Sequence, residues 1–417
     1  MSKVYALVDC NNFFVSCERV FNLPSRNSPT VVLSNNDGCI ISRSQEAKDL
    51  GVKMGEPYFR VKDFLDAHGV KVFSSNFPLY ADMSHRVMNL LEEFSPGVEI
   101  YSIDEAFLDF SSFRTKDLDL YSKQIRGRVL QCTGIPISIG IAKTKTLAKL
   151  ANHLAKKHKF YGGVLDFNQF SEQERDRYLQ FTPVEEVWGI GRKLSRKLLS
   201  MGVRTAYDFT KLSSRWVKSH MGIMGFRTQH ELLGIDCDCH HEDIRKSLVV
   251  SRSLAETVDS FDVISGIVAK FVHSAGETLR REGVEARYLT VFIRTNYKAL
   301  KDNQYSNYAT IPLSQYTSSS TLILAGAVSA LKEIYKPGFK YKKIGISLAD
   351  IRPEGQQSNF LSSVSNLELF KAIDSLNRKW KGAIKLGRET LHEGRIGARQ
   401  MSSPSYTSDW NSLLTVR

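Results

Sequence analysis

The chain has 417 residues, 42% hydrophobic and 24% charged, which excludes wholesale disorder and exceeds what one hydrophobic core sustains. Net charge is +13 but unevenly placed: residues 1–110 carry 15 acidic against 10 basic side chains, and the basic surplus lies in residues 111–417. A basic surface suits a polyanion and an acidic part within it suits cations, although a solvated surface of mixed charge satisfies the same composition.

In chain order, residues 3–9 (KVYALVD) predict a short apolar strand ending on Asp9, and residues 30–33 (TVVL) a β-branched strand. A helix is expected over 43–50 with Gly51 as its stop, and another over 84–94 with Ser84 as cap. Residues 98–110 (VEIYSIDEAFLDF) read as two strands around a tight turn at Asp104-Glu105. A strand over 135–141 and a basic helix over 144–157 follow. Residues 183–205 hold two short helical stretches around glycine turns, and 233–246 read as a linker. Beyond it come a strand (247–253), a helix (261–282), strands (287–295 and 306–314), a helix (319–335) and a strand (341–348). That β-α-β-β-α-β order defines a compact α+β module. After Asp350 the chain is richer in Ser and Gly and reads as a partly ordered tail.

Six scattered cysteines form no secreted-type framework, and the N-terminal run reaches Asp9 before a signal-length apolar stretch forms. A cytoplasmic location with reduced thiols is the expectation. Cys237, Cys239, His240 and His241 lie within five residues, but one short run rarely supplies a whole zinc shell and no second cluster accompanies it.

The acids carry the most chemistry. Two divalent ions about 3.5–4 Å apart need carboxylate oxygens converging from separate segments, and hard ions such as Mg²⁺ favour oxygen ligands and phosphates. Asp9 at one strand end and Asp104 with Glu105 on a later hairpin would supply them. By spacing alone, ordinary turn acids are the favoured reading, since acids at strand ends are common.

The surrounding blocks decide between those readings. VDCNNFFVSCE (8–18), VVLSNNDGCIISRSQEAKDLGVKMGEP (31–57), YADMSHRVM (80–88), YSIDEAFLDF (101–110), GIAKTKTLAKLANHLAKK (140–157) and VWGIGRKLSRKLLSMGV (187–203) resemble, in order, the Y-family of translesion DNA polymerases. LSNNDGC, SSNFPLYADMS and the C-terminal SPSYT (403–407) resemble the branch that supplies the catalytic subunit of bacterial DNA polymerase V. The resemblance implies an α+β, multidomain right-hand polymerase. Its palm would span 1–20 and 75–165, its fingers 21–74 and its thumb, with a helix-hairpin-helix, 167–235. The β-α-β-β-α-β module would be a little finger at 245–350, and 351–417 a C-terminal tail.

The resemblance also implies roles. Asp9, Asp104 and Glu105 would bind two Mg²⁺ ions, with the backbone carbonyl of Cys10 helping. Phe14 would be the aromatic gate against a ribose 2′-hydroxyl, although by itself it reads as a core aromatic. Lys48 and Lys156 would hold the triphosphate, and Arg43 would lie near the templating base. A tyrosine that touches the phosphates in much of the family is Gln45 here. Gly189, Gly191, Arg192 and Lys193 would contact DNA phosphate through a helix start, and Arg252, Arg287 and Arg294 would track the duplex. Primed DNA template and deoxynucleoside triphosphates are the implied substrates, and a UmuD′ dimer and a RecA filament the implied partners. Gln357–Leu361 faintly resembles peptides that dock on the sliding clamp, with the usual Leu-Phe order reversed. Two other classes compete with error-prone synthesis across damaged template: a nucleotidyl cyclase-like enzyme, and a non-catalytic DNA-binding accessory protein. A stand-alone lesion-bypass polymerase is the alternative within the class.

Overall fold

The apolar residues before Asp9 form β1 (Tyr5–Cys10), buried on both faces as a central strand should be. Ala6, Val8 and Cys10 enter one core, while Tyr5 and Leu7 enter another on the opposite side. The computed structural model describes residues 3–113, 117–237, 245–297, 303–355, 367–380, 382–392 and 399–412. The clamp-like residues 357–361 and Cys239, His240 and His241 lie outside the described residues.

Asn12, in the left-handed region (φ 48°, ψ 45°), starts α1 (Phe13–Phe21). A separate small sheet follows, from β2 (Thr30–Leu33), β3 (Ile40–Arg43) and, after α2 (Gln45–Asp49) and α3 (Tyr58–Ala67), β4 (Lys71–Ser74). Its order is β3-β2-β4, around a core containing Val31, Leu33, Ile40 and Leu65. α2 starts two residues later than predicted. Arg43 still belongs to β3, and the Ser44 hydroxyl caps the helix by accepting from the Ala47 N–H.

α4 (Phe77–Leu91) begins a full two turns before the predicted Ser84, which is buried within it. Asn76 is the cap, and Pro78 sits in the first turn, where its missing N–H costs nothing. β5 (Val98–Ile100) and β6 (Glu105–Asp109) pair antiparallel. The turn between them spans residues 101–104, so Glu105 opens the strand instead of sharing the turn. α5 (Leu118–Thr133), β7 (Ile137–Ala142), α6 (Lys145–Lys157) and β8 (Val164–Asp166) complete a five-stranded sheet of order β5-β6-β1-β7-β8.

α1, α4 and α5 pack on one face of this sheet and α6 on the other. Gly140 of β7 permits the latter approach. A Cβ there would lie 2.1 Å from the Asn152 backbone nitrogen and 2.3 Å from the Ala148 carbonyl oxygen. The Asn152 amide donates to the Leu7 and Ser138 carbonyls (3.2 and 2.8 Å), satisfying strand acceptors beneath the helix.

A helical region then extends the α6 core, with α7 (Glu172–Phe181), α8 (Arg192–Ser200), α9 (Ala206–Thr210) and α10 (Ser214–Leu232). Of the two helical stretches expected at 183–205, the first is only a 3₁₀ turn, Val184–Glu186. The Glu231 carboxylate of α10 accepts from the Thr146 N–H and hydroxyl at the start of α6 (2.9 and 2.5 Å), where a helix favours negative charge.

The chain divides into two compact units: residues 1–240 together with 400–417, and residues 241–399. The second holds β9 (Ser247–Val258), α11 (Phe261–Glu282), β10 (Val284–Thr295), β11 (Ser306–Thr317), α12 (Ser320–Ile334) and β12 (Tyr341–Pro353). This is the predicted β-α-β-β-α-β order, folded as an antiparallel sheet β11-β10-β12-β9 with both helices in its core. The tail is more regular than predicted. α13 (Leu367–Lys379) docks on α11 through a buried bidentate pair between Arg280 and Asp374 (2.7 and 2.8 Å). Residues 400–412 return to the first unit.

Candidate active site

Asp9 stands directly opposite Glu105 in the β1–β6 register, and the Cys10 N–H donates to the Asp104 carbonyl (2.8 Å). Three acids therefore share one sheet edge. Strand alternation turns Asp9 towards α6 with Tyr5 and Leu7, and sends the Cys10 thiol into the opposite core, where burial pushes its pKa up. Only the Cys10 backbone can serve a site at this edge.

α6 presents Lys149, His153 and Lys156 at helical spacing along one side, and they line a cleft of about 240 Å³ with Asp9, Glu105 and Trp188. Lys156 pairs with Asp9, and the Lys149 ammonium bonds both Glu105 oxygens (3.0 and 2.9 Å). Asp104 accepts from the Ser102 hydroxyl (2.6 Å). The Lys149 ammonium also lies over the rings of Tyr101 (4.6 Å) and Trp188 (5.2 Å), which are joined by an indole-to-hydroxyl hydrogen bond (3.3 Å). Burial raises the Asp9 pKa to about 6; Lys156 pulls it down, and Glu105 and Asp104 push it up.

Among the described residues, no three His, Cys, Asp or Glu side chains converge to hold a metal ion. Each acid is turned instead to its own lysine or hydroxyl. The donor chemistry nevertheless fits hard divalent ions: carboxylate oxygens on adjacent strand ends, a backbone carbonyl, and negative charge that two ammonium groups already offset.

Of the predicted nucleotide-binding residues, Lys48 lies near Arg43 and Lys156, while Phe14 packs against α4. The Lys48 ammonium donates to the Asn12 side-chain oxygen (2.6 Å), linking α2 to the turn that follows Asp9. Its pKa is lowered by partial desolvation and then by the nearby positive charges of Arg43 and Lys156. Arg43 donates to the Val52 carbonyl (2.5 Å). Gln45 bonds Asp49 on its own helix (2.8 Å). Phe14 on α1 stacks on Tyr80 of α4 (4.6 Å, 19°) with Phe77 at its edge (6.2 Å, 84°).

Gly189 adopts φ +87° and Gly191 caps α8, whose first two residues, Arg192 and Lys193, are exposed. Two cations at a helix start oppose the helix dipole, so this end favours an anionic partner. In the second unit, Arg294 stands opposite Lys343, on the sheet face away from its helices. Ser251, Gly345 and Phe292 share that face. Arg287 sits at a bulge between Ala286 and Tyr288, and Arg252 pairs with Ile344 of the helix-covered core. The structure does not bring these three arginines onto one face.

Sequence reasoning missed Lys149, Asn12 and Lys343. The first is signalled by its spacing from Lys156 on one helix, and the last by period-two alternation along β12. Asn12 becomes notable only through its left-handed backbone.

Residues 8–153 match the model of the impB/mucB/samB family, residues 245–361 that family's C-terminal domain, and residues 368–416 a domain of unknown function. Protein UmuC of Salmonella typhimurium is 40% identical, covering 99% of this chain and 100% of its own. Protein MucB of Escherichia coli is 36% identical (98% and 99%), and DNA polymerase IV of Bacillus velezensis 26% (96% and 95%). A solved Y-family DNA polymerase chimera of Dbh and Dpo4 superposes with a TM-score of 0.68 at 21% identity, over 84% of this chain and 100% of that one. The fold is therefore that of a right-hand Y-family polymerase. The chain belongs to the impB/mucB/samB family.

Proposed function

We propose that this protein is a DNA-directed DNA polymerase that copies damaged template, and that the acid edge of β1 and β6 is its catalytic centre. The observation that carries the reading is the placement of Asp9, Asp104 and Glu105 on one edge, facing Lys156, with Lys48 and Arg43 close by. Palm, fingers and thumb are assigned to 1–20 with 75–165, 21–74 and 167–235, and the little finger to 245–350.

Asp9, Asp104, Glu105 and the Cys10 carbonyl would hold two Mg²⁺ ions. Bound there, the ions lower the pKa of the primer 3′-hydroxyl and offset charge on the triphosphate. The protein's own residues do the rest. Lys48 and Lys156 grip the phosphates and stabilise the charge that grows on the leaving pyrophosphate. Lys156 is paired with Asp9, so ions at the acids would free its ammonium for phosphate. Phe14, backed by Tyr80, would exclude a ribose 2′-hydroxyl by the bulk of its ring. Template pairing selects the base. Arg192, Lys193 and the Arg294–Lys343 face hold duplex phosphates without reading sequence.

Because its relatives include UmuC, a UmuD′ dimer and a RecA filament are the proposed partners, with the sliding clamp as a further one, in a cytoplasmic SOS-type repair response. Among the described residues no helix is long and apolar enough to cross a membrane. Primer extension on an abasic template with Mg²⁺, with and without UmuD′ and RecA, tests the reading. Synthesis past the lesion by wild type is expected. An Asp104→Ala variant that still extends primers would refute the site. Nucleotide turnover without primed DNA would favour the cyclase-like class.

A further inference from the structure

The returning C-terminal residues lie against the joint between α1 and α4, behind the aromatic stack. The Ser74 N–H donates to the Met401 carbonyl (2.9 Å), and the Ser74 hydroxyl accepts from the Met401 N–H (3.0 Å), so residues 401–402 extend the edge of β4. The Asn76 side chain, which caps α4, donates to the Ser403 hydroxyl (2.9 Å) and the Pro404 carbonyl (3.1 Å). Tyr406 stacks nearly flat on Phe21 at the end of α1 (4.9 Å, 9°).

One contact leads inward. The Ser403 hydroxyl donates to Glu18 Oε1 (3.1 Å), which also accepts from the Tyr80 hydroxyl (2.7 Å). Glu18 is wholly buried, and its other oxygen has no partner among the described residues. Glu18 lies one turn beyond Phe14 on α1, and the Tyr80 ring stacks on Phe14. A continuous chain of contacts thus runs Ser403–Glu18–Tyr80–Phe14. A buried carboxylate needs its donors, so losing one alters how firmly the other is held.

We propose that Gln400–Tyr406 is a positioning strap of the nucleotide site: it fixes Glu18 and Tyr80, and through them the orientation of Phe14. Ser403 and Tyr406 are positioning residues that touch neither substrate nor metal. The proposal rests on the reading of Phe14 as the sugar gate for its functional consequence, but not for the coupling itself.

Two measurements on the full chain separate these. In the first, 3-fluorotyrosine is installed at position 80 and its ¹⁹F resonance compared between wild type, Ser403→Ala and Ser403→Thr. The Ala variant should shift or broaden the resonance, and the Thr variant, which keeps the hydroxyl, should restore it. An unchanged resonance in Ser403→Ala overturns the proposal. In the second, ribonucleotide and deoxynucleotide insertion are compared on undamaged primed template. Combined Ser403→Ala and Tyr406→Ala should raise relative ribonucleotide insertion about fivefold and add nothing further in a Phe14→Ala background, as expected of coupled neighbours. If Phe14→Ala relaxes sugar selection and the strap variant does not, the strap has no positioning role. If Phe14→Ala itself leaves sugar selection unchanged, the gate reading falls, and the strap stands or falls on the fluorine resonance.

Discussion

The acid edge of the first unit and the open sheet face of the second are both charged surfaces on antiparallel strands, yet they are built oppositely. At the acid edge Lys156 is matched to Asp9 and Lys149 to Glu105, and at the other end of the same helix Lys145 pairs with Glu99 (2.5 Å), each lysine on α6 and each acid on a strand. On the open face Arg294 lies opposite another cation, Lys343, among Ser251, Ser347 and Thr290. A matched, half-buried site can exchange a lysine for a metal ion without leaving a bare charge. An unmatched, hydroxyl-rich face is suited to a ligand that brings its own negative charge at regular spacing.

Removing one acid is the harshest way to break this contrast. Asp104→Ala should lower primer extension to about a thousandth or less, the order expected when a charge-stabilising group is removed from a catalytic site. Binding of primed DNA, measured by anisotropy at fixed salt, should change little, because the residues proposed to hold the duplex are others. A parallel loss of both would mean the acid supports the fold. Chelating divalent ions should likewise abolish extension while leaving binding.

Next in size is Gly140→Ala. The added carbon would meet backbone atoms of α6 and not a movable side-chain end. Overpacking of that kind costs about 1–3 kcal/mol. The helix can relax only by lifting from the sheet, which carries Lys149 and Lys156 away from the acids. A lowered melting midpoint together with reduced deoxynucleotide affinity is expected; an unchanged midpoint would show that α6 adjusts freely.

These two positions mark how far the sequence could be read. Acids at strand ends were visible in KVYALVD and YSIDEAF, and the second unit's elements were visible because period-two and period-3.6 patterns alternate cleanly there. The start of α4 was not, because Pro78 reads as a breaker until it is known to occupy the first turn. Lys149 reads as a solvated helix residue unless the helix is known to lie against β6. Arg287 could not be assigned a face, since the register shift beside it on β10 changes the alternation that strand position implies. Arg252 alternates regularly with Leu248 and Val250, so its place opposite Ile344 follows from strand period alone. The strap was legible only as a resemblance at SPSYT, because its contacts bridge more than 300 positions in sequence.

On the open face, Arg294→Ala with Lys343→Ala should weaken DNA binding uniformly across sequences. The slope of log affinity against log salt should become shallower by about 1.8, or 0.9 for each phosphate no longer neutralised. Polymerisation at saturating DNA should be nearly unaffected, which sharpens the division between an edge that reacts and a face that holds. An unchanged slope would remove these two residues from the duplex path.

The smallest effect tests Glu18, a wholly buried acid behind the site held by two hydroxyl donors. Burial is the first cause that raises the Glu18 pKa, against lowering by its bonds from Tyr80 and Ser403. With a folded value above the unfolded one, the native state binds the extra proton between the two. Stability therefore falls as pH rises from the ordinary carboxylate range through the raised value, and stays lower beyond it. Glu18→Gln keeps an oxygen for both hydroxyl donors and removes the buried charge. The wild type should lose more stability than Glu18→Gln as pH rises from the ordinary carboxylate range to about pH 8, read from denaturant unfolding at each pH. Asp9, whose lysine offsets part of the same burial, should not show so simple a profile, since exchanging Lys156 for a metal ion changes the charges around it. Equal pH dependence in wild type and Glu18→Gln would mean that the Glu18 charge is stabilised as well in the fold as in water, and that its two hydroxyl donors suffice without a cation.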